Sequence, residues 1–77
     1  MGRLNPAAMR FDVYGRFQVE LRREGARWTA YRPGPGTLAP MPQLVIPPEL
    51  RADELARFLD DHFHELGEPG RSVRSVG

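Results

Sequence analysis

The stretch FDVYGRFQVELRREGARWTAY, residues 11–31, decides the fold, because its apolar residues recur at every second position. Phe11 and Val13, then Phe17, Val19 and Leu21, then Trp28 and Ala30 each mark one face of a strand. Period two is the strand signature, and glycines at 15 and 25 fall where the chain must reverse. Residues 9–32 therefore read as a three-stranded antiparallel meander.

Register follows from the rule that directly opposed residues share a face. Opposing Val13 to Phe17 and Phe11 to Val19 requires three connecting residues, Tyr14-Gly15-Arg16, or a bulge at Gly15. A two-residue Gly15-Arg16 turn would set Tyr14 against Phe17 and Asp12 against Val19, mixing polar and apolar residues. In the second hairpin, pairing Leu21 with Trp28 and Val19 with Ala30 leaves Glu24-Gly25 as the turn, with Gly supplying a positive φ. That register also sets Arg22 against Arg27, a mild repulsion.

Beyond the meander, PGPGTLAPMPQLVIPP (residues 33–48) holds six of the eight prolines. Proline has no N–H for a ladder, so this segment reads as a crossing loop. Leu44, Val45 and Ile46 can add at most a short fourth edge strand. Pro47-Pro48 then ends the loop, and RADEL brings acids into a first helical turn, where the helix dipole favours them. Gly67 sits where a left-handed C-terminal cap belongs, so the helix is expected over 51–66. The tail EPGRSVRSVG lacks helical or strand periodicity and is expected to order only against a neighbour.

FLDDHFHEL, residues 58–66, crowds two histidines with acids and invites a metal or acid/base reading. Wound at about 100° per residue, Leu55, Leu59 and Leu66 fall within about 40° of one another, flanked by Phe58 and Phe63. His62 joins this core stripe and His64 lies on the opposite side, so the pair cannot chelate one ion from one helix. Zinc-binding helices space their histidines i and i+4. His62 accordingly reads as a core histidine hydrogen-bonded to a neighbour, and Asp53, Arg57 and Asp61 as a solvated rim of i, i+4 pairs. The expected core is Phe11, Val13, Phe17, Val19, Leu21, Trp28, Ile46, Leu55, Phe58, Leu59, Phe63 and Leu66.

Seventy-seven residues without cysteine exclude disulfides, thiolate nucleophiles and thiolate metal sites. So short a chain buries only about 60% of its unfolded surface, which leaves self-association or a partner as the remaining source of buried area. All eleven basic residues are arginine, so lysine chemistry and Walker-type phosphate loops are excluded too. MGRLNPAA has no apolar signal region, Pro6 spoils a myristoylation motif, and no segment approaches a membrane span. Those features predict a cytoplasmic protein. Residues 1–8 read as a flexible extension, with Met9 an alternative start, 9–66 as one domain and 67–77 as the tail.

The net charge of +1 conceals a separation. Residues 9–32 carry six Arg against three acids, and residues 49–66 carry six acids against two Arg. With the helix on the Phe11, Val19 and Trp28 side, the far face of the sheet presents Arg10, Asp12, Tyr14, Gln18, Glu20, Arg22, Thr29 and Tyr31. Tyrosine mixed with arginine suits a protein interface. The same mixture can stack bases and hold phosphates, although Asp12 and Glu20 weaken that electrostatic footprint.

FDVYGR, RWTAY, VIPPEL, FLDD and FHEL together resemble a family of short bacterial proteins known only as a domain of unknown function. The resemblance covers most of residues 9–66 and implies a compact αβ module, with no activity, ligand or catalytic residue to carry over. EGARWTAYRPGPG also resembles the strand and proline turn of HicB-type antitoxins, from which the later helix departs.

Taken together, these readings predict an α+β fold: a meander of three strands, or four with the 44–46 edge, and one C-terminal helix on one face. The expected function is a non-catalytic protein-interaction module, an accessory subunit or homo-oligomer, with Arg10, Tyr14, Arg16, Arg22 and Tyr31 as partner-binding residues. No catalytic residue, cofactor, metal or small-molecule substrate is expected. The alternative is a regulatory nucleic-acid-binding or antitoxin-like module.

Overall fold

The structure, a computed structural model, describes residues 8–67 and 69–76. One antiparallel sheet of order β4-β3-β2-β1-β5 is built from β1 (Ala8–Val13), β2 (Phe17–Glu24), β3 (Arg27–Gly34), β4 (Thr37–Pro40) and β5 (Val73–Ser75). A single α-helix, α1 (Leu55–Phe63), packs over β1 and β5, with short 3₁₀ turns at Ala52–Glu54 and His64–Leu66. The fold is α+β, with five strands where three or four were expected.

The first hairpin has the register expected from face matching: Val13 opposes Phe17 and Phe11 opposes Val19. Tyr14 and Gly15 both take positive φ, 57° and 73°, and the Arg16 N–H donates to the Val13 carbonyl at 2.9 Å. The second hairpin differs from expectation. Leu21 opposes Ala30, Arg23 opposes Trp28 and Glu24 opposes Arg27, so the turn is Gly25-Ala26. A shift of two residues preserves every face, which is why apolar patterning alone could not choose between the registers. It also removes the expected Arg22–Arg27 clash, since Arg22 faces Thr29.

Both additional strands come from segments with weak patterning. Pro35-Gly36 turns β3 into β4, which pairs Gly34 with Thr37 and ends at Pro40. Leu44–Ile46 does not form the expected edge strand. Leu44 and Ile46 are buried and Val45 is 78% exposed, so that loop alternates without pairing. The segment read as a polar tail carries β5, which pairs Val73 with Val13 and Phe11 with Ser75. Three residues are too few to display a period. The expected extension over 1–8 falls outside the described residues except for Ala8, which opens β1.

The core lies between the sheet and a cover of two parts. Phe11, Val13, Val19, Leu21, Leu55 and Leu59 are fully buried, joined by Tyr14, Ala30, Leu44 and Ile46. The helix covers the β1–β5 half, and the loop over 41–50 covers the β2–β3 half. That loop is strapped down by the Trp28 indole N–H, which donates to the Leu50 carbonyl at 2.9 Å. Arg23 adds a bond to the Pro48 carbonyl at 2.8 Å and stacks on the Trp28 ring.

Three expectations about the helix are corrected. It tightens to 3₁₀ at both ends, and at its start the Glu54 carboxylate accepts the Arg51 N–H at 2.8 Å. Gly67 is extended (φ −73°, ψ 153°), not left-handed. His62 and Leu66 lie outside the core; Leu66 is 41% exposed. The helix turns Leu55 and Leu59 fully inward, with Ala56, Phe58 and Phe63 half-buried around them, and the imidazole of His62 stacks on Phe58 and meets Phe63 edge-on at 4.6 Å between centroids. Phe63 in turn stands edge-on to Phe17 at 5.3 Å.

Candidate protein interface

Strand parity puts Arg10, Asp12, Gln18, Glu20, Arg22, Glu24, Arg27, Thr29, Tyr31 and Arg74 on the face turned away from α1. Three of the five expected partner-binding residues meet there. Arg10 on β1 and Tyr31 on β3 flank Glu20 on β2 as directly opposed neighbours, and Arg22 lies one same-face step along β2. The centre of this face is therefore a short ladder of charge and aromatic ring running across three strands.

Glu20 organises it. Only 7% exposed, its carboxylate accepts the Arg10 Nη2 on one oxygen and the Arg22 Nε on the other, both at 2.7 Å. Burying a carboxylate is costly unless it is paired and hydrogen-bonded, and here both oxygens are. The hydrogen bonds from Arg10 and then Arg22 hold its carboxyl below the ordinary value of 4.5. Arg22 also lies over the Tyr31 ring, 5.2 Å from its centroid, within cation–π range. The Tyr31 hydroxyl donates to Glu24 at 3.2 Å, and the Thr29 hydroxyl donates to the other Glu24 oxygen at 2.9 Å.

Hydrogen bonds and the Arg22–Tyr31 contact thus tie Arg10, Glu20, Arg22, Glu24, Thr29 and Tyr31 to one another across three strands. The linkage has a sign that can be tested. Because the folded Glu20 carboxyl titrates lower than the unfolded one, its contribution is present above about pH 4.5 and is lost as pH falls through the folded value. Glu20→Gln is expected to lower the melting temperature by no more than about 5 °C at neutral pH, since both arginines are substantially exposed. It should also flatten the acid limb of a stability-versus-pH curve. An acid limb as steep as wild type would show that Glu20 does not carry that dependence.

The other two expected residues lie elsewhere. Tyr14 is not on the open face: its positive φ swings the ring under the helix, where it is 3% exposed and packs near Gly67. Its hydroxyl donates to the Asp60 carboxylate and lies 3.1 Å from the Asp60 carbonyl. The Asp60 hydrogen bond, with burial second, pushes the Tyr14 hydroxyl up to about 12. Arg16 is exposed at the tip of the same hairpin, away from the Arg10–Glu20–Arg22 ladder. Glu20 and Glu24 are the residues not singled out in advance. The first-hairpin register, which already sets Arg10 opposite Glu20, carried the signal for the former.

Among the described residues, no group of three or more His, Asp or Glu side chains could hold a metal ion, and no helix is long and apolar enough to cross a membrane. A five-stranded sheet covered on one face and patterned with paired charge on the other defines the class, a small α+β sheet module. The chain belongs to a family described as a domain of unknown function (DUF7661), whose profile matches residues 8–76. No curated protein and no solved structure matches it.

Proposed function

We propose that this domain is a non-catalytic interaction module that docks a protein partner, or a second copy of itself, on the open face of its sheet. The charge balance of that face carries the reading. Arg10, Arg22, Arg27 and Arg74 stand among Asp12, Glu20 and Glu24, and two of the arginines are bound to Glu20. A polyanion seeks unopposed positive charge, whereas paired ions around an aromatic ring suit a protein surface of mixed sign.

A nucleic-acid role is the second reading, favoured by the guanidinium of Arg22 lying over Tyr31, an arrangement that can also extend a base stack. Two measurements separate the readings. Light scattering with native co-purification is expected to return either a homo-oligomer or a stoichiometric protein partner, while mixed DNA and RNA at low salt give no mobility shift. A stable monomer that recovers no partner would overturn the proposal. A shift that weakens steeply with salt and is lost in Arg22→Ala would replace it with the nucleic-acid reading.

A further inference from the structure

The outer edge of β3 is only partly paired. In a two-residue hairpin the flanking pair, Glu24 and Arg27, is mutually bonded, and bonding alternates from there. Arg27, Thr29 and Tyr31 thus aim their N–H and C=O groups at β2, and Trp28, Ala30 and Arg32 aim theirs outward. β4 pairs with residues 31–34, and one more rung forms where the Met41 N–H donates to the Ala30 carbonyl at 2.9 Å. The chain then turns away at Pro42, with the Leu44 N–H donating to the Met41 carbonyl at 3.1 Å. Among the described residues, no strand reaches the backbone of Trp28 on this side.

A cleft of about 470 Å³ occupies that place. Its walls include Trp28 and Ala30 from the covered face of β3 together with Thr29 and Tyr31 from the open face. Five consecutive residues of β3, Arg27 to Tyr31, line one cleft, as they do where it runs along the strand's edge, in the line that β4 would have continued. Met41, Leu44 and Ile46 supply an apolar wall, Val45 stands beside it largely exposed, and among the described residues the one formal charge lining the cleft is that of Arg27.

From this edge we infer that the cleft receives an extended segment of a protein partner, which adds a strand against Trp28. Alternate apolar side chains of that segment would enter the cleft, and an acidic residue or a terminal carboxylate would meet Arg27. The inference rests on the interaction reading above and names the chemistry of the partner. Thr29 and Tyr31 line the cleft and also belong to the open face, so the two surfaces are continuous.

Trp28 is the only tryptophan, so its fluorescence reports on the cleft directly. The probe is a pool of octapeptides with Val, Ile or Leu at alternate positions and a C-terminal aspartate. Titration is expected to give a saturable change in Trp28 emission. At ten times the half-saturating concentration, hydrogen exchange at the Trp28 amide should slow by about tenfold. Arg27→Glu should weaken binding, and N-methylation of the peptide backbone at alternate residues should abolish it. No saturable change, or equal binding of the methylated pool, would overturn strand addition. A Trp28 amide already protected in a peptide-free dimer would overturn it in favour of a second copy. Because the probe needs no native partner, these outcomes are independent of whether the open face docks one.

Discussion

Leu59→Ala is expected to lower the melting temperature by roughly 10 °C or more. Leu59 is fully buried at the centre of α1, against the β1 and β5 half of the sheet. Removing a buried leucine to alanine costs about 2–5 kcal/mol, from lost transfer energy and from the cavity left behind. A domain of this size has only about 4–12 kcal/mol to lose. Alanine's helix propensity returns a few tenths at most, so packing decides the outcome. Urea denaturation checks it: the midpoint should fall while the slope stays at its wild-type value. A change within about 0.5 kcal/mol would mean that the helix does not cover the core as described.

Tyr14→Ala is expected to cost a comparable amount, and Tyr14→Phe much less. The alanine variant removes a ring that is almost wholly buried between the first hairpin and the helix, and it keeps the strain of a positive φ at a non-glycine residue. The phenylalanine variant retains the packing and loses only the hydroxyl bonds to Asp60, an exposed residue that water can serve instead. The two variants together apportion the tether between ring and hydroxyl. Its pH dependence is distinctive. The folded hydroxyl titrates near 12, above its ordinary 10.0, so its contribution is complete below pH 10 and disappears as pH rises toward 12. Wild type should lose stability through that window and Tyr14→Phe should lose less. Identical alkaline limbs would contradict the Tyr14–Asp60 bond.

What could be read from the residues depended on the length of each pattern. Three strands with bulky residues at every second position declared themselves, and face matching found the three-residue turn at Tyr14-Gly15-Arg16. The second hairpin slipped by two because Trp28 and Ala30 share a face and either can oppose Leu21 without burying a charge. β4 was hidden by its prolines and β5 by its brevity. Both became strands through pairing with a neighbour already in place, a tertiary effect that overrides local preference.

Helical periodicity put His62 in the core stripe with Leu55 and Leu59, which are fully buried, but where the helix ends it is Phe63 that packs against the sheet, at Phe17, and His62 is exposed. No wheel drawn from one segment contains the position of the other. The candidate interface was half legible. Alternation assigned Arg10, Arg22 and Tyr31 to the open face, whereas Tyr14 left it through a left-handed turn that strand parity cannot describe. Glu20 looked like one more surface acid until the ladder showed two guanidinium groups closing on it.

The central claim is that the open face of the sheet is a docking surface for protein. Its most direct test is quantitative native co-purification of the wild-type chain beside an Arg22→Ala/Tyr31→Ala double variant and a His64→Ala control on the exposed helix side. The account predicts a stoichiometric protein partner, or a second copy, with wild type and the control. It predicts loss of that partner from the double variant while its fold is retained by circular dichroism. Equal recovery of the partner by all three proteins would contradict it.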